Sequence, residues 1–478
     1  MQGKLVHAII LVEFLMRGIF TLEKKQVVVK TGQKVVLTIK RLGINGEGIG
    51  YYKRKITFVK GALPGEVIVA KVTKVHPKYL EASLVKIEKP SQNRVEPVDK
   101  YDVGGIELEH LAYPAQLAFK EDVIRQALEK FKPKGYQDYE LRPTLGMDHP
   151  YAYRNKAAFQ VRKTKSGQVI AGLYQEGSHR LVDLPTFSSQ MPLTMKIMRT
   201  LVDLLAKWQV PLYQERQHTG ILKTIIVRES VAKQNAQVVL VTRTSKFPQL
   251  NNLVADIKSQ LPEVVSIMQN INPQKTSLLW GEQTLKIYGQ DYLEERLGEV
   301  EFRLSARAFF QLNPSQTKVL YDQVKQALDL QADESLIDAY CGVGTIGLYV
   351  APAAKAVYGV DIIPEAIEDA RQNAALSNRS NVNYEVGAAE KVIPAWVKQG
   401  VKPDALVVDP PRTGLDAQLI KTILQVKPAK FVYVSCNPST LARDLVALSK
   451  VYQVDYIQSV DMFPQTARVE AVVKLSKR

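Results

Sequence analysis

Two short polar motifs near the C-terminus contain the residues best suited to covalent chemistry. One is SCNPSTLARD at 435–444, in which Cys436 follows the apolar run FVYVS at 431–435. A cysteine at the carboxyl end of a strand in an open α/β sheet lies where ligands bind, so we predict that Cys436 is a nucleophile. A lone cysteine is more often a small buried hydrophobic residue, and only the neighbouring motifs outweigh this alternative.

A glycine-rich turn and acidic residues at strand ends indicate a nucleoside cofactor. The sequence DAYCGVGTIG at 338–347 matches GxGxxG, and Asp361 stands 19 positions after Gly342, where a carboxylate binds ribose hydroxyls. This pattern fits a nicotinamide dinucleotide as well as S-adenosylmethionine. Asp338 within the first strand and the Asp-Pro-Pro turn of DPPRTGLD at 409–416 favour the methyl donor. Methyltransferases that act on nucleobases often place an Asp-Pro-Pro turn beside the base.

The chemistry expected of this set is methylation of uracil at C5. Arg412 follows Pro-Pro, where amino-methylating enzymes have an aromatic residue, so the target is not an exocyclic amine. Uracil C5 attacks a sulfonium methyl only after a thiolate adds at C6 and turns the ring into an enolate. A base must then remove the C5 proton, and all six histidines precede residue 219. We therefore predict Glu470, in FPQTARVEAVVKL at 463–475, although a solvent-facing strand carboxylate is the alternative.

Positive charge is concentrated in one N-terminal segment. The chain has a net charge of +16, and residues 24–90 hold fifteen Lys and Arg against four Asp and Glu, whereas 331–478 hold sixteen of each. A basic module beside a neutral one predicts a domain that binds nucleic acid, rather than a merely basic soluble surface. Within 26–90, short β-rich runs alternate with turn signals that include Gly48 and Gly50, which predicts a small barrel.

The remaining elements must position the chemistry. From residue 301, strand and helix patterns alternate, which predicts a doubly wound parallel sheet. An amphipathic helix over 114–132 is expected to pack on that catalytic domain. Basic residues flank strands in YRNKAAFQVR (153–162) and HTGILKTIIVR (218–228), as RNA contacts or as solvated strand edges. We divide the chain into an extension at 1–23, an RNA-binding barrel at 24–90, a central α+β RNA-binding domain at 91–300 and an α/β methyltransferase domain at 301–478.

The N-terminal run AIILVEFLMRGIF at 8–20 does not predict a membrane span. Glu13 and Arg17 interrupt it, and it is too short to cross a bilayer. It is either a packed extension or a segment that precedes a true start at Met16. Two cysteines cannot form a disulfide framework, so we expect a cytoplasmic monomer with no membrane partner.

Taken together, these motifs resemble the RNA uracil-5-methyltransferase family. The resemblance rests on SCNPSTLARD, DPPRTGLD, DAYCGVGTIGL, DMFPQTARVE and the FFQLNP sequence at 309–314. INGEGIGYYKRKITFVKGALPGEVIVAKV at 44–72 is similar to the TRAM domain, an OB-like RNA-binding barrel. The resemblance implies a Rossmann-like class I methyltransferase domain, S-adenosylmethionine as cofactor, Cys436 as nucleophile and Glu470 as general base. It also implies four residues that contact or frame the methyl donor, namely Gln311, Tyr340, Asp361 and Asp409.

Two positions depart from the family pattern. The family commonly has histidine where this chain has Arg468, so a contact to the base residue differs here. Many relatives carry a four-cysteine iron–sulfur site, but Val103 and Ile106 flank the corresponding glycines and Phe187 stands at the place of the distant cysteine. With two cysteines in the chain, we predict no iron–sulfur cluster and no other metal site.

The resemblance thus implies methylation of uridine C5 in structured RNA. Ribosomal RNA of the large subunit, 23S, is the expected substrate, because members that act on transfer RNA often lack the barrel. Transfer-RNA uridine methylation is the alternative within the enzyme class. A non-catalytic RNA-binding assembly factor is the alternative outside it, and the presence of Cys436 and of the glycine turn argues against that alternative. A dehydrogenase is a more distant alternative.

Overall fold

The computed structural model describes residues 29–478 and contains two compact units. Among the described residues, one unit comprises 29–41 and 47–91, and the other comprises 42–46 and 92–478. The extension predicted at 1–23 lies outside the described residues. The first unit contains five strands: β1 (Lys34–Leu42), β2 (Gly48–Tyr52), β3 (Lys55–Lys60), β4 (Val67–Val75) and β5 (Tyr79–Lys89). They close into a barrel in the order β1-β2-β3-β5-β4, so the predicted OB-like barrel is confirmed.

One part of the barrel differs from the sequence prediction. Gly48 and Gly50 do not lie in a turn but in strand β2. A Cβ at Gly48 would lie 2.6 Å from the carbonyl oxygen of Ala62, and one at Gly50 would lie 2.5 Å from a methyl group of Leu37. Glycine is therefore required here because the neighbouring strands approach too closely for any side chain.

The second unit begins with helix α1 (Tyr113–Phe131) and strand β6 (Glu140–Leu145), followed by a seven-stranded sheet. The strands of that sheet are β7 (Lys156–Lys163), β8 (Val169–Tyr174), β9 (Leu181–Asp183), β10 (Leu222–Ser230), β11 (Asn235–Thr242), β12 (Val264–Ile271) and β13 (Gln283–Gly289). Their order is β13-β12-β11-β10-β7-β8-β9. Helices α2 (Pro192–Lys207) and α3 (Leu250–Gln260) pack on one face through a shared apolar core.

A hairpin of β14 (Tyr292–Leu297) and β15 (Val300–Ser305) leads into the catalytic domain. The remaining strands are β16 (Ser335–Ala339), β17 (Ala356–Asp361), β18 (Val382–Val386), β19 (Ala405–Val408), β20 (Lys430–Ser435), β21 (Tyr452–Val460) and β22 (Glu470–Lys477). The intervening helices are α4 (Pro314–Leu328), α5 (Thr345–Val350), α6 (Pro364–Leu376), α7 (Ala389–Lys398), α8 (Ala417–Val426) and α9 (Pro438–Leu448).

These strands form one eight-stranded sheet in the order β18-β17-β16-β19-β20-β22-β21-β6. All strands are parallel except β22, which runs antiparallel to both of its neighbours. The predicted doubly wound sheet is therefore confirmed. The strand order reverses between β16 and β19, and ligands of such sheets bind in the crevice beyond the carboxyl ends of the strands at this point.

The predicted amphipathic helix is α1, which packs against β6 and α9. The side chains of Gln116 and Lys120 are buried, together with apolar residues such as Phe119 and Ile124. Within residues 29–478, no helix is both long and apolar enough to cross a membrane.

Candidate active site

Cys436 and Glu470 are neighbours at the carboxyl end of β20. In the antiparallel pair of β20 and β22, Ser435 lies opposite Ala471. The next step of the same register brings Cys436 beside Glu470. Cys436 is half-buried between β20 and α9, and Glu470, the first residue of β22, is only 4% exposed. The structure thus brings together the two residues that the sequence singled out for catalysis.

The loop at 409–416 is fastened to helix α9 by hydrogen bonds. Asn437, which caps α9, donates from Nδ2 to the carbonyl oxygen of Arg412 at 2.9 Å, and Thr440 Oγ1 donates to the same oxygen at 3.3 Å. Arg443 Nη2 donates to the carbonyl oxygen of Thr413 at 2.8 Å. These bonds hold the Asp-Pro-Pro-Arg turn against the turn that carries Cys436.

Asp444, in the middle of α9, also holds this loop, and sequence reasoning missed it. Its Oδ2 accepts from the backbone N–H of Leu415 at 2.8 Å and from the hydroxyl of Tyr433 at 2.9 Å. The side chain is buried although it is charged. A signal was available, because the motif SCNPSTLARD ends in an Arg-Asp pair on an otherwise apolar helix.

Two acidic residues and one arginine shift the pKa of Cys436 in opposite directions. Burial, and then the negative charges of Glu470 and Asp409, raise the pKa of Cys436 to about 11, while Arg412 lowers it. Burial and the charge of Asp409 also raise the pKa of Glu470 well above its ordinary value, again opposed by Arg412. Burial raises the pKa of Asp409. Without ligands the cluster therefore favours a neutral thiol, and an added positive charge would favour the thiolate.

The glycine turn after β16 begins with a buried acid. Oδ2 of Asp338 accepts from the backbone N–H of Gly347 at 2.8 Å, and Oδ1 is buried without a hydrogen-bond partner among residues 29–478. Burial raises the pKa of Asp338 to about 8. Tyr340 follows with a φ of 66°, a left-handed conformation that is uncommon for non-glycine residues. Sequence reasoning placed both residues correctly at the end of β16.

Asp361 lies at the end of the neighbouring strand β17 and faces the same turn. Its carboxylate accepts from the backbone N–H groups of Gly342 at 3.1 Å and Ile363 at 3.0 Å. In the described part of the chain, no atom lies within 4 Å of a Cβ built on Gly342, so the space above the turn is open. Ile362 is 67% exposed beside it, an apolar surface that sequence reasoning missed. Its signal was an apolar residue directly after the acidic strand end.

Gln311 lies in the segment between β15 and α4 and is buried. The backbone on its C-terminal side is fixed at two points. The carbonyl oxygen of Leu312 accepts from the N–H of Asn155 at 3.0 Å, and Asn313 Nδ2 donates to the carbonyl oxygen of Met462 at 3.1 Å. Gln311 is thus held between the central sheet and the loop that leads to Glu470.

That loop, residues 461–469, is held by helix α1. Lys120 forms a buried ion pair with Asp461 and also donates to the carbonyl oxygen of Phe463 at 2.9 Å. Gln116 and Gln465 exchange two hydrogen bonds, at 2.8 Å and 3.0 Å. We call these two sets of contacts, made by Lys120 and by Gln116, the clamp between α1 and the loop. Sequence reasoning missed both, because the polar residues of an amphipathic helix are expected to face solvent.

The positions that depart from the family pattern have ordinary surroundings. Val103, Ile106 and Phe187 belong to one buried apolar cluster, and a Cβ on Gly105 would contact the Phe187 ring at 3.7 Å. Arg468 is exposed. Among residues 29–478, no group of three or more His, Cys, Asp or Glu side chains is arranged to hold a metal ion.

Comparison with known families matches two regions of the chain. The tRNA (uracil-5-)-methyltransferase family matches residues 112–478, and the TRAM domain matches residues 28–85. An RNA methyltransferase of Lactiplantibacillus plantarum is 60% identical over 458 residues, which cover 95% of each chain. One of Enterococcus faecalis is 56% identical, over 95% of this chain and 100% of the other.

A solved structure is similar over the same range. It is the tRNA (uracil-54, C5)-methyltransferase of Pyrococcus abyssi in complex with S-adenosyl-L-homocysteine. The sequences are 28% identical and the TM-score is 0.75, over 93% of this chain and 100% of the other. The similarity therefore extends over nearly the whole chain.

Proposed function

The chain belongs to the tRNA (uracil-5-)-methyltransferase family, and on this premise we propose that it methylates uridine C5 in 23S ribosomal RNA through a covalent adduct on Cys436. It is an S-adenosylmethionine-dependent RNA methyltransferase. The observation that carries the proposed mechanism is the register of β20 and β22, which sets a thiol beside a buried carboxyl group. Both cysteines of the protein are free thiols, which persist in a reducing compartment. We therefore include a cytoplasmic location in the proposal.

The residues of the glycine turn fit the nucleoside part of the methyl donor. The carboxylate of Asp361 retains lone pairs for ribose hydroxyls, and Ile362 offers an apolar surface for a base. The open space above Gly342 and the buried Oδ1 of Asp338, unpartnered within residues 29–478, are further features of a ligand-binding crevice. Tyr340 and Gln311 would frame the pocket. The methyl donor supplies an electrophilic methyl group on a positively charged sulfur.

The residues of this chain have distinct parts in the proposed reaction. The thiolate of Cys436 forms a bond to C6 of uracil, and the electron pair of the C5–C6 bond moves to C5 and O4 as an enolate. After C5 has gained its methyl group, Glu470 takes the C5 proton, and the electrons of that C–H bond restore the double bond and expel the thiolate. Asp409 and Arg412 line the same cluster, and we place the uracil edge against Asp409.

The substrate RNA has two candidates. The barrel favours ribosomal RNA, because family members that act on transfer RNA often lack it. Transfer RNA is the second candidate, because the Pyrococcus abyssi protein is a tRNA (uracil-54, C5)-methyltransferase and its similarity covers 93% of this chain. The barrel alone does not separate the two. Mapping 5-methyluridine in ribosomal and transfer RNA from cells with and without this protein decides between them.

The covalent step is tested with RNA that carries 5-fluorouridine in place of uridine. Fluorine at C5 cannot leave as a proton, so the adduct formed by the wild type should survive denaturation. Cys436→Ala should form no adduct, and Cys341→Ala should form it normally because Cys341 is a buried packing residue. Undiminished methylation by Cys436→Ala would remove Cys436 from the mechanism.

The proposed base is tested with ordinary RNA. Glu470→Gln retains the shape of the side chain but cannot accept the C5 proton. We expect it to remain attached to RNA that is already methylated, detected as a slowly migrating species without fluorine. Rapid turnover by Glu470→Gln would mean that another group removes the proton.

A further inference from the structure

The central sheet has two chemically different faces. Along β7, Ala157, Phe159 and Val161 are buried in the core beneath α2 and α3. The alternating residues point the other way and are only half-buried, among them Lys156 and Arg162. The second face therefore carries basic side chains beside a small apolar cluster that includes Ile226 and Val239, whereas the first is a conventional apolar core. Burial and the charge of Arg228 lower the pKa of Lys156 to about 7.

At one end of this second face lies a cavity of about 530 Å³, which we call the distal pocket. Three cations and three rings line it, namely Arg162, Lys223, Lys275, Tyr174, Tyr213 and His179. The volume falls within the range of about 300–1,000 Å³ that is typical of small-ligand sites. Its mixture of cations and rings is typical of surfaces that bind single-stranded nucleic acid.

The cations are held in place by the pocket itself. Arg162 Nη2 donates to the hydroxyl of Tyr174 at 2.7 Å, and its guanidinium lies 5.6 Å from the ring centre of Tyr213. Lys223 Nζ lies 5.1 Å from the same ring and donates to the carbonyl oxygen of Gln274 at 2.9 Å. These contacts fix the basic groups in place. Burial and the charge of Arg162 lower the pKa of Lys223, so a bound anion would stabilise its charged form. Among the described residues that line the pocket, Glu215 is the only acid, so the wall has a positive excess that suits an anion.

The distal pocket is connected to the active site by β7. Lys156 and Arg162 lie six residues apart on this strand, a distance of about 20 Å. Lys156 directly follows Asn155, whose N–H bonds to Leu312 beside Gln311. Trp280 also lies on this face, with its ring centre 5.7 Å from Lys156 Nζ. Between the two basic residues, Ala158 packs against an apolar cluster that includes Ile226 and Val239, so this face carries one basic side chain at each end of β7 and apolar contacts between them.

We propose that the distal pocket binds one unpaired nucleotide of the substrate RNA, outside the site of methylation. The base stacks on the half-buried ring of Tyr174, and Arg162, Lys223 and Lys275 bind the adjoining phosphates. This inference rests on the proposed function, because it takes the occupant to be part of the same RNA. The combination of cations and an accessible ring in the pocket favours such an occupant over a separate small molecule.

The test compares steady-state methylation by the full chain and by single variants. The substrates are unmodified transcripts of large-subunit ribosomal RNA and of transfer RNA. We expect Lys275→Glu and Arg162→Gln to raise KM for the RNA by about tenfold, which corresponds to the loss of one stacked or phosphate contact, and to change kcat by less than about twofold. Lys275 lies on an exposed segment, so its substitution tests the proposal even if Arg162→Gln folds poorly.

Lys196→Glu is the matched control. Lys196 is an exposed lysine on α2, which packs on the opposite face of the sheet, and it pairs with Glu263. Its KM should equal that of the wild type. The salt dependence supplies a second measurement, because each lost single-strand phosphate contact lowers the log–log slope by about 0.7.

Photocrosslinking locates the occupant directly. Transcripts with single 4-thiouridines on either side of the target should crosslink to peptides that contain Tyr174, Tyr213 or Lys275. An unchanged KM in both pocket variants, or crosslinks confined to other segments, would overturn the proposal. Binding of uridine monophosphate at the pocket without any change in KM for RNA would also contradict it and indicate a separate small-molecule site.

Failure of the proposed function gives a different result. In that case the wild type itself forms no methylated product and no 5-fluorouridine adduct with either transcript. If the wild type forms both and the pocket variants retain its KM, only the distal pocket inference fails.

Discussion

The thiol of Cys436 has two carboxyl groups and one guanidinium as charged neighbours, and they act on it in opposite directions. Burial together with Glu470 and Asp409 raises the pKa of the thiol, and Arg412 lowers it. Only the thiolate is a nucleophile, so the same charges control how fast Cys436 reacts. A site that binds a cationic methyl donor gains by this arrangement, because the nucleophile is protected until the positive charge arrives.

This balance predicts opposite effects of two substitutions on alkylation by iodoacetamide. With a pKa of about 11, the thiolate fraction and the alkylation rate should rise about tenfold per pH unit between about pH 7 and 9. Arg412→Ala removes the charge that lowers the pKa, so alkylation at about pH 8 should slow by roughly two- to tenfold. Glu470→Gln removes a charge that raises the pKa, so alkylation should accelerate by a similar factor.

Mass spectrometry can follow this reaction at a single residue. The other cysteine, Cys341, is 5% exposed, and burial raises its pKa well above the ordinary value, so it should stay unmodified in the folded protein. Equal alkylation rates in the wild type and both variants would show that Arg412 and Glu470 do not shift the pKa of Cys436.

At the residue scale, sequence reasoning found the groups whose chemistry is unusual for their position. Cys436 and Asp361 were identified because a thiol or carboxylate follows an apolar run, and Glu470 because no histidine lies in the C-terminal third of the chain. The structure places each of them at the end of a strand. Their roles stay predictions. Asp444 was missed because its function is to bond backbone and hydroxyl groups, and such partners depend on tertiary structure.

At the scale of elements, the turn at 409–416 depends on a single glycine. Gly414 has a φ of 77°, and a Cβ there would lie 2.6 Å from Arg443 Nη2 and from Asp444 Oδ2. These are the side chains that fasten the loop to α9. A larger residue would therefore strain the backbone and also displace the hydrogen bonds that set Arg412 and Asp409 beside the thiol.

We expect Gly414→Ala to reduce kcat by about a hundredfold, the effect of an approximately 1 Å displacement in an active site. Gly400→Ala is the matched control, since Gly400 also has a positive φ, of 98°, but a Cβ added there would meet no atom of the described residues within 4 Å. Both variants should lose about 1–2 kcal/mol through backbone strain. Comparable kcat values for the two would mean that the clash at Gly414 is relieved without moving the loop.

The clamp between α1 and the loop at 461–469 leads to a stability prediction. Lys120 and Asp461 have fully buried side chains, so removal of one leaves the other as an unpaired charge. Lys120→Met should lower the free energy of unfolding by about 3–5 kcal/mol, measured with urea. Lys130→Met, at an exposed position on the same helix, should change it by less than about 0.5 kcal/mol.

A second variant separates lost charge pairing from lost packing. Lys120→Met combined with Asp461→Asn removes both charges and should recover part of the lost stability. If Lys120→Met alone is as stable as the wild type, the buried pair does not hold the loop. Hydrogen exchange should also be faster in residues 461–469 of the single variant.

The elements themselves were largely predictable, because their periodicity follows from one buried face. The helix expected at 114–132 is observed at Tyr113–Phe131, and the alternating strands and helices after residue 301 form the expected sheet. Strand β2 was not predicted, since glycines usually mark turns and their need here arises from strands that approach from elsewhere in the barrel. Buried polar residues on α1 were unpredictable for the same reason.

At the scale of the whole molecule, apolar residues pack together at three positions where the resemblance places cysteines of an iron–sulfur site. Val103, Ile106 and Phe187 share a buried core with α2 and α3. Such a core can replace a metal in tying a domain together when enough apolar surface is available. The absence of an iron–sulfur cluster stays a prediction that this packing supports.

The distribution of charge over the whole chain predicts how the barrel contributes to RNA binding. Residues 24–90 carry most of the net positive charge, and the hairpin between β2 and β3 presents Lys53 and Arg54 at its exposed tip. Tyr51 is 53% exposed beside them. Cations next to an exposed ring are suited to phosphate contacts and base stacking. The segregated charge could be read from sequence, but the position of these cations at one hairpin tip required the structure.

Replacing both Lys53 and Arg54 with alanine should therefore weaken RNA binding and reduce its salt dependence. Each lost phosphate contact lowers the log–log slope of affinity against salt by about 0.7–0.9, so the double variant should lose about 1.4–1.8. Lys86→Ala is the control, because Lys86 is an exposed barrel lysine already paired with Glu88 at 3.1 Å. Binding of the methyl donor should be equal in all three proteins. An unchanged salt slope in the double variant would mean that the hairpin tip faces away from the bound RNA.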